Sequence, residues 1–237
     1  MILSYEDIEH IAAAVLEDFE RAMPLNLICT RGVPVETLAT TYLGMIVKYA
    51  RLSNGVIGVT AYDDVECIIT EGGVTRIIPL KRNDILLDIS LAQLSENAAA
   101  MHCRRFTLAH ECAHQILFQL ESQEVKSACR SRYEYGKAHS LRALKFREDW
   151  NEWQANALGA SMLMPKERLV AAAQKLCRGH MLTDYAGHLT ARDKLILEHL
   201  CHVFNVSMTA MRIRLKNLNL LVKKQVSEFC DPSEVCA

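Results

Sequence analysis

Apolar residues in the first part of the chain recur with the period of an α-helix. After Ser4 they follow the three- and four-residue spacing of one helical face, and Asp7 completes a capping box with Ser4. A second helix is predicted from Pro34, a favoured first-turn residue, to Gly44, a common helix end. This part of the chain is therefore predicted to form two amphipathic helices.

The pattern then changes to short runs rich in β-branched and aromatic residues. Polar turn sequences separate these runs, and "EGG" at 71–73 predicts a hairpin. The simplest arrangement of these strands is a small, largely antiparallel sheet. Its last strand, "ILLDIS" at 85–90, is predicted to be exposed and able to pair with a substrate peptide by β-augmentation. The predicted strands are 45–49, 56–62, 67–70, 74–80 and 85–89.

Helical spacing resumes after the last strand. Helices are predicted over about 99–119 and 148–164, and Pro165 both ends the second and can start another. Residues 190–221 show a helix, a short turn and a second helix with Ser207 as its N-cap, the outline of a helix-turn-helix. The fold class is α+β, with a small sheet packed on helices and then a helical C-terminal region.

Composition limits the classes of function. Twenty-seven basic and twenty-eight acidic side chains create no global field for a polyanion. There is neither a signal-peptide pattern nor an apolar run long enough for a membrane helix, so a soluble cytoplasmic protein without membrane contact is expected. The nine scattered cysteines lack a C-x-x-C pair, which favours reduced thiols over a disulfide framework. Cys177, His180 and His188 fit no common metal-ligand spacing.

Two segments carry excess positive charge. Residues 122–147 contain seven basic and two acidic side chains, which mark either a contact surface or a solvated excursion between two core helices. Residues 207–224 contain five basic and no acidic side chains, Arg212, Arg214 and Lys216 among them. The second segment keeps DNA recognition open as an alternative, beside a packing or partner-docking role.

The sequence "HECAH" at 110–114 carries the strongest candidate chemistry. His110 and His114 are four residues apart on a predicted helix, so both imidazoles can reach one metal ion. Glu111 is rotated about the helix axis by about 100° from His110, so it cannot easily coordinate the same metal ion. It can reach a water bound to that metal and take its proton as the water attacks a carbonyl. This is the spacing of zinc metalloproteases. Cys112 points away and is interpreted as packing.

A catalytic zinc site normally has three protein ligands, and "NEWQAN" at 151–156 is the best source of the third. Glu152 and Asn156 are four residues apart, so one can bind the metal while the other hydrogen-bonds a ligating histidine. Spacing alone leaves Glu148 and Asp149 as rivals of Glu152. Gly159, one turn beyond Asn156, permits close approach to the helix of "HECAH".

A family resemblance adds to this interpretation. "RRFTLAHECAHQILF" (104–118) followed by "EWQANALGASMLMP" (152–165) resembles the ImmA/IrrE metallopeptidases. The resemblance implies a zincin-like domain over 1–169, followed by a helical region over 170–237. It implies metal ligands His110, His114 and Glu152 and a catalytic Glu111, with Asn156 in a supporting position. Zinc is the expected metal, and manganese also suits two histidines and a carboxylate.

The resemblance also implies a function. Family members cleave a cognate helix-turn-helix repressor and so derepress genes of a bacterial mobile element or stress response. A protein substrate of that kind is the expected partner, and direct DNA binding is not expected. The alternative is a non-cleaving DNA- or repressor-binding regulator of the toxin–antitoxin type. Polar candidates for stabilising the oxyanion lie between the two motifs, at Tyr133, Tyr135 and His139.

Overall fold

The computed structural model describes residues 2–23, 32–52, 55–71, 74–92, 97–121, 131–134 and 147–229. These residues fall into two compact units, one within 1–30 and 34–163 and the other within 31–33 and 164–237. The architecture is mixed α+β. No helix in the described ranges is both long and apolar enough to cross a membrane.

The two N-terminal helices form where the apolar spacing predicts them. Helix α1 spans Tyr5–Ala22, and the capping box between Ser4 and Asp7 is confirmed. Helix α2 begins at Val35 and runs to Thr37, after which Leu38–Tyr42 continue as a π-helical turn. Gly44 follows with φ +65°, the left-handed conformation that ends a helix most easily at glycine.

The predicted strands are present, but they form two separate sheets. The strands are β1 Ile46–Ala50, β2 Val56–Thr60, β3 Val65–Glu71, β4 Val74–Leu80, β5 Asp84–Asp88 and β6 Ser131–Glu134. Strands β1, β5, β2 and β6 form a four-stranded sheet in that order, and β3 pairs with β4 in an antiparallel hairpin. In the larger sheet β1 and β5 are parallel, whereas the other two pairings are antiparallel.

The prediction of an exposed edge strand at 85–90 is wrong. Strand β5 lies between β1 and β2, and its side chains from Ile85 to Leu87 are at most 1% exposed. Its backbone is already paired on both sides, so it cannot accept a peptide strand. Strand β6 borders the sheet instead, and the sequence did not reveal it because it lies within the basic segment 122–147.

Two long helices complete the N-terminal unit. Helix α3, Ala98–Gln119, is capped by Asn97 and packs against β2 and β5. Helix α4, Arg147–Leu163, packs against both α3 and α1. A Cβ on Gly159 would lie 3.2 Å from the backbone of Ala109 and His110, which confirms the predicted close approach of the two helices.

In its described residues the C-terminal unit contains three α-helices, a 3-10 helix at Val226–Glu228 and a short parallel strand pair. Helix α5 is Lys166–Cys177, α6 is Ala191–Phe204 and α7 is Met208–Asn217; strands β7, Leu182–Tyr185, and β8, Leu221–Lys224, pair in parallel. Ser207 caps α7, as predicted. The sequence pattern did not indicate the strand pair.

Two of the basic residues of this unit are engaged within it. Arg214 is 2% exposed and donates two hydrogen bonds to the carbonyl oxygen of Met164. Arg212 donates to Asp184 across 2.6 Å. Both guanidinium groups therefore have protein partners, which weakens the argument from charge for a DNA-binding surface on α7.

Candidate metal centre

Helix α3 presents polar side chains on two adjacent faces. His110 and His114 face α4, where Glu152 and Asn156 lie. A second row of residues, four apart, faces β2: Thr107, Glu111 and Gln115. All five of these α3 side chains are at most 3% exposed. A buried helix with so many polar groups needs partners for them. Helix α4 supplies partners for the histidines, β2 supplies them for Gln115, and the hydroxyl of Thr107 donates to the carbonyl oxygen of Cys103 within α3.

Three of these side chains converge on one point. Nε2 of His110 lies 2.9 Å from Nε2 of His114, and 3.3 Å separates each of these nitrogens from a carboxylate oxygen of Glu152. All three ligand atoms lie within 4.8 Å of one another. Within the described part of the chain this is the one group of three or more His, Cys, Asp or Glu residues with metal-site spacing.

Asn156 orients one of the imidazoles. Its Oδ1 lies 3.1 Å from Nδ1 of His110, and because an amide oxygen can only accept, Nδ1 carries the hydrogen and donates it. The lone pair of His110 Nε2 then points toward His114 and Glu152. An orienting group on the non-ligating nitrogen is typical of metal-bound histidines.

The protonation states of the donors suit a cation. Burial and the adjacent His114 lower the pKa of His110 to about 4, so its imidazole is neutral at pH 7. Burial acts to raise the pKa of Glu152, but the adjacent imidazoles of His110 and His114 outweigh it and the pKa falls below its ordinary value. Glu152 is therefore a carboxylate beside a neutral imidazole, and these electron-pair donors repel one another unless a cation or proton lies between them.

Glu111 is the least satisfied polar group in this region. Its side chain is fully buried, and in the described residues neither carboxyl oxygen has a hydrogen-bond partner. Burial, and then the negative charge of Glu152, raise the pKa of Glu111 well above its ordinary value. A buried carboxyl without partners is costly, and it is retained where it has a chemical task or binds water or an ion. Together with the donor set, it fits a divalent cation.

Gln115 fixes the motif helix to the sheet. Its Nε2 donates to Oγ1 of Thr60 across 2.7 Å and to the carbonyl oxygen of Ala61 across 2.9 Å. The sequence interpretation did not single out Gln115, although its position four residues after Glu111 was a usable signal. The amide holds α3 in register with β2.

A small pocket opens beside His114. Its apolar lining includes the stacked rings of Tyr62 and Phe118, whose centroids are 4.0 Å apart. Its polar lining includes Gln154, whose Oε1 accepts a hydrogen bond from the backbone N–H of Leu3. The pocket is lined by Leu3, Tyr62, His114, Leu117, Phe118, Glu121, Asn151 and Gln154. When the scissile bond of a substrate lies at the donor atoms of His110, His114 and Glu152, a substrate side chain next to that bond could enter this pocket.

Comparison with known protein families shows which family the chain belongs to. The model of the Peptidase M78 family, described as the IrrE N-terminal-like domain, matches residues 93–216. The chain belongs to this family. It is therefore a metallopeptidase, a hydrolase of peptide bonds that acts on a protein substrate, and the resemblance to the ImmA/IrrE metallopeptidases is confirmed. No curated protein matches the chain.

The remaining residues that the sequence suggested for a metal or catalytic role lie outside the donor group or outside the described residues. Cys112 is fully buried and is not part of the donor group. Nε2 of His180 donates a hydrogen bond to Oδ1 of Asp193 across 2.6 Å. In the described residues Cys177, His180 and His188 form no metal-site group. Tyr135 and His139 lie outside the described residues, and only the backbone of Tyr133 is described.

Proposed function

We propose that this metallopeptidase is a zinc-dependent endopeptidase with a zincin-like N-terminal domain. Its metal ligands are His110, His114 and Glu152, and Glu111 is the general base. The observation that supports this assignment is the convergence of two histidine nitrogens and a carboxylate oxygen within 4.8 Å, beside a fully buried carboxyl. Two nitrogens and one oxygen suit zinc with an open fourth position, and they also suit manganese.

Each residue has a distinct task in this proposal. A bound divalent cation would polarise the scissile carbonyl and lower the pKa of a water to about 7. Glu111 takes a proton from the attacking water and passes it to the leaving amine. Asn156 holds the ring of His110, and Gln115 holds the helix that carries Glu111.

The substrate proposed for the enzyme is a helix-turn-helix repressor, whose cleavage derepresses genes of a bacterial mobile element or stress response in the cytoplasm. Cleavage of one repressor requires contacts beyond the three ligands. The pocket beside His114 is suited to one substrate side chain, and the border strand β6 is suited to pairing with the substrate backbone. The C-terminal helices are available for docking the repressor.

Co-expression tests the substrate. The wild type and Glu111→Gln are each expressed with the repressor encoded by the neighbouring gene, and the repressor is followed by immunoblot. The wild type is expected to shorten the repressor, whereas Glu111→Gln leaves it intact while keeping its metal. Glu17→Gln is the matched control, because Glu17 is an exposed carboxylate on α1. Undiminished cutting by Glu111→Gln would remove Glu111 from the mechanism.

Metal analysis tests the centre itself. Protein purified without added metal is measured by mass spectrometry for zinc and manganese. His114→Ala and Glu152→Ala are expected to lose the metal, and Glu17→Ala is expected to keep it. If a wild type free of metal still cuts the repressor, the metal mechanism is wrong. If a metal-loaded wild type binds the repressor and never cuts it, the non-cleaving regulator is the better account.

A further inference from the structure

Gly58 lies in the middle of β2, directly opposite the carboxyl group of Glu111. Its φ is not in the left-handed region, so the backbone at this position is one that any residue can adopt. Glycine in the interior of a strand weakens the strand and often marks a bulge or the close approach of another group. The pairing of β2 with β6 is irregular between Val56 and Gly58, and the space around Gly58 supplies a second reason for a glycine.

That space is taken by helix α3. A Cβ built on Gly58 would overlap Oε1 of Glu111 and would lie 2.8 Å from Cγ2 of Thr107. Real Cβ atoms essentially never approach other atoms so closely. The missing side chain thus makes the room in which the Glu111 carboxyl lies.

Strand β2 cannot easily move away to make room for a larger residue. Gly58 is in register with Leu87 of β5 on one side and with Tyr133 of β6 on the other. Gln115 ties α3 to Thr60, two residues further along β2. The opposite face of the strand carries Val59, which is buried in the core beneath the β3–β4 hairpin. The separation of α3 and β2 is therefore fixed from three directions.

A carboxyl at the end of a side chain is the part that can yield. Glu111 is fully buried, so its oxygens would have to turn within a packed interior, away from their present position. Thr107 is 1% exposed, and its shorter side chain is held by a hydrogen bond from its hydroxyl to the carbonyl oxygen of Cys103, so it can yield less. An added methyl group would consequently displace the Glu111 carboxyl first.

We propose that Gly58 is a positioning residue of the peptidase, which sets the location of the Glu111 carboxyl by leaving that space open. The inference depends on the proposed role of Glu111 as the general base. Gly58 does not touch substrate or metal, and its effect passes through Glu111. A displacement of about 1 Å at a reacting group can cost roughly 100-fold in rate.

The steric part is tested without substrate or metal. Urea unfolding midpoints are measured in EDTA for the wild type, Gly58→Ala, Glu111→Ala and the double variant. Gly58→Ala is expected to lower the midpoint when Glu111 is present and to lower it less, or raise it, when residue 111 is alanine. Gly58→Ala combined with Glu17→Ala, at an exposed carboxylate on α1, is the control, for which independent shifts are expected.

The proposal would be overturned if Gly58→Ala shifted the urea unfolding midpoint by the same amount with Glu111 present and with alanine at position 111. Should Gly58→Ala fail to fold, the double variant with Glu111→Ala becomes decisive. Recovery of folding in that double variant supports the steric relation, and continued failure to fold overturns it.

The functional part is measured on the purified repressor encoded by the neighbouring gene, with metal-loaded protein. Gly58→Ala is expected to lower kcat about 100-fold, with KM and metal content close to wild type. An unchanged kcat, or a loss of activity that follows loss of metal, would reject the positioning role. Full activity of Glu111→Gln would instead reject the proposed general base. The two failures are therefore distinguishable.

Discussion

Nδ1 of His110, on the motif helix, donates a hydrogen bond to Oδ1 of Asn156, on the helix that also carries Glu152. The bond is 3.1 Å long and joins the two helices that supply the candidate metal donors. It fixes which nitrogen of His110 bears the hydrogen, and so directs the other toward Glu152. The two halves of the site thus orient each other before a metal arrives.

Asn156→Ala is expected to weaken metal binding by about 10- to 100-fold, because the His110 ring loses the group that orients it. Competition with a chromogenic chelator measures the dissociation constant. Asn156→Asp keeps an acceptor oxygen at the same place and should retain most of the affinity. Equal affinities for Asn156→Ala and the wild type would show that the hydrogen bond has no influence on the donor set.

Gln115→Ala is expected to destabilise the protein by about 1–3 kcal/mol, since the buried hydroxyl oxygen of Thr60 loses a donor and the carbonyl oxygen of Ala61 keeps only the N–H of Asn83. Urea unfolding of the metal-free protein gives the free energy of unfolding. Gln119→Ala, at an exposed position of the same helix, is the control. A change no larger than that of the control would mean that Gln115 does not hold α3 to the sheet.

Gly159→Val is expected to lower the free energy of unfolding by roughly 1–3 kcal/mol, because its side chain would press on the backbone of α3. Metal affinity should fall as well, since the contacted backbone includes His110. Unfolding in urea and chelator competition measure the two effects. Ala160→Val places the same side chain one residue further along α4, and if it weakened metal binding equally, the close approach at Gly159 would not be the cause.

The C-terminal unit should show a pH dependence through Asp184. Burial acts to raise the pKa of Asp184, but hydrogen bonds from Arg212 and from the N–H of Gly187 outweigh it, so the pKa is below the ordinary 3.8. A carboxyl whose pKa is lower in the folded state stabilises the fold above the unfolded pKa, and this stabilisation is lost as the pH falls through the folded pKa.

Asp184→Asn should therefore cost stability at pH 7, and the difference from the wild type should shrink as the pH falls below 3.8. Thermal unfolding at pH 7 and at several values below 4 measures this. Asp63→Asn, an exposed carboxylate, is the control. A difference that stayed constant down to the lowest pH would exclude Asp184 as its source.

Phe118→Ala is expected to alter specificity, because Phe118 forms part of the apolar wall of the pocket beside His114. Cleavage sites in a proteome-derived peptide library are mapped by mass spectrometry for the wild type and the variant. The expected result is a shift toward larger side chains at one position next to the cleaved bond. An identical preference at every position would show that the pocket does not receive substrate.

Local patterns predicted the helices and the central motif well. The capping box at Ser4, the helix around "HECAH" and the N-cap at Ser207 depend on residues within a few positions of one another, so the sequence determines them directly. The four-residue spacing of His110 and His114 needs only a helix to bring both rings to one side. Gly159 was also found from its position, one turn beyond Asn156 on the same predicted helix.

Features that depend on long-range pairing were not determined in this way. Glu152 could be separated from its rivals Glu148 and Asp149 only through resemblance, and its contact with both histidines arises from the packing of α4 on α3. The hydrophobic pattern also did not predict the order of the strands, because a buried strand can be hydrogen-bonded to one neighbouring strand or to two. Strand β5 proved to be central, and β6 came from a segment whose composition indicated no strand.

The sequence by itself indicated which residues are candidates for the chemistry and determined which of them share a helix, because helical geometry is set by neighbouring residues. Only the tertiary structure decided what faces that helix: Asn156 and Glu152 on one side, Gly58 and Thr60 on the other. These contacts join residues that are far apart in the chain, and they depend on the complete packing of helices and sheet rather than on any local pattern.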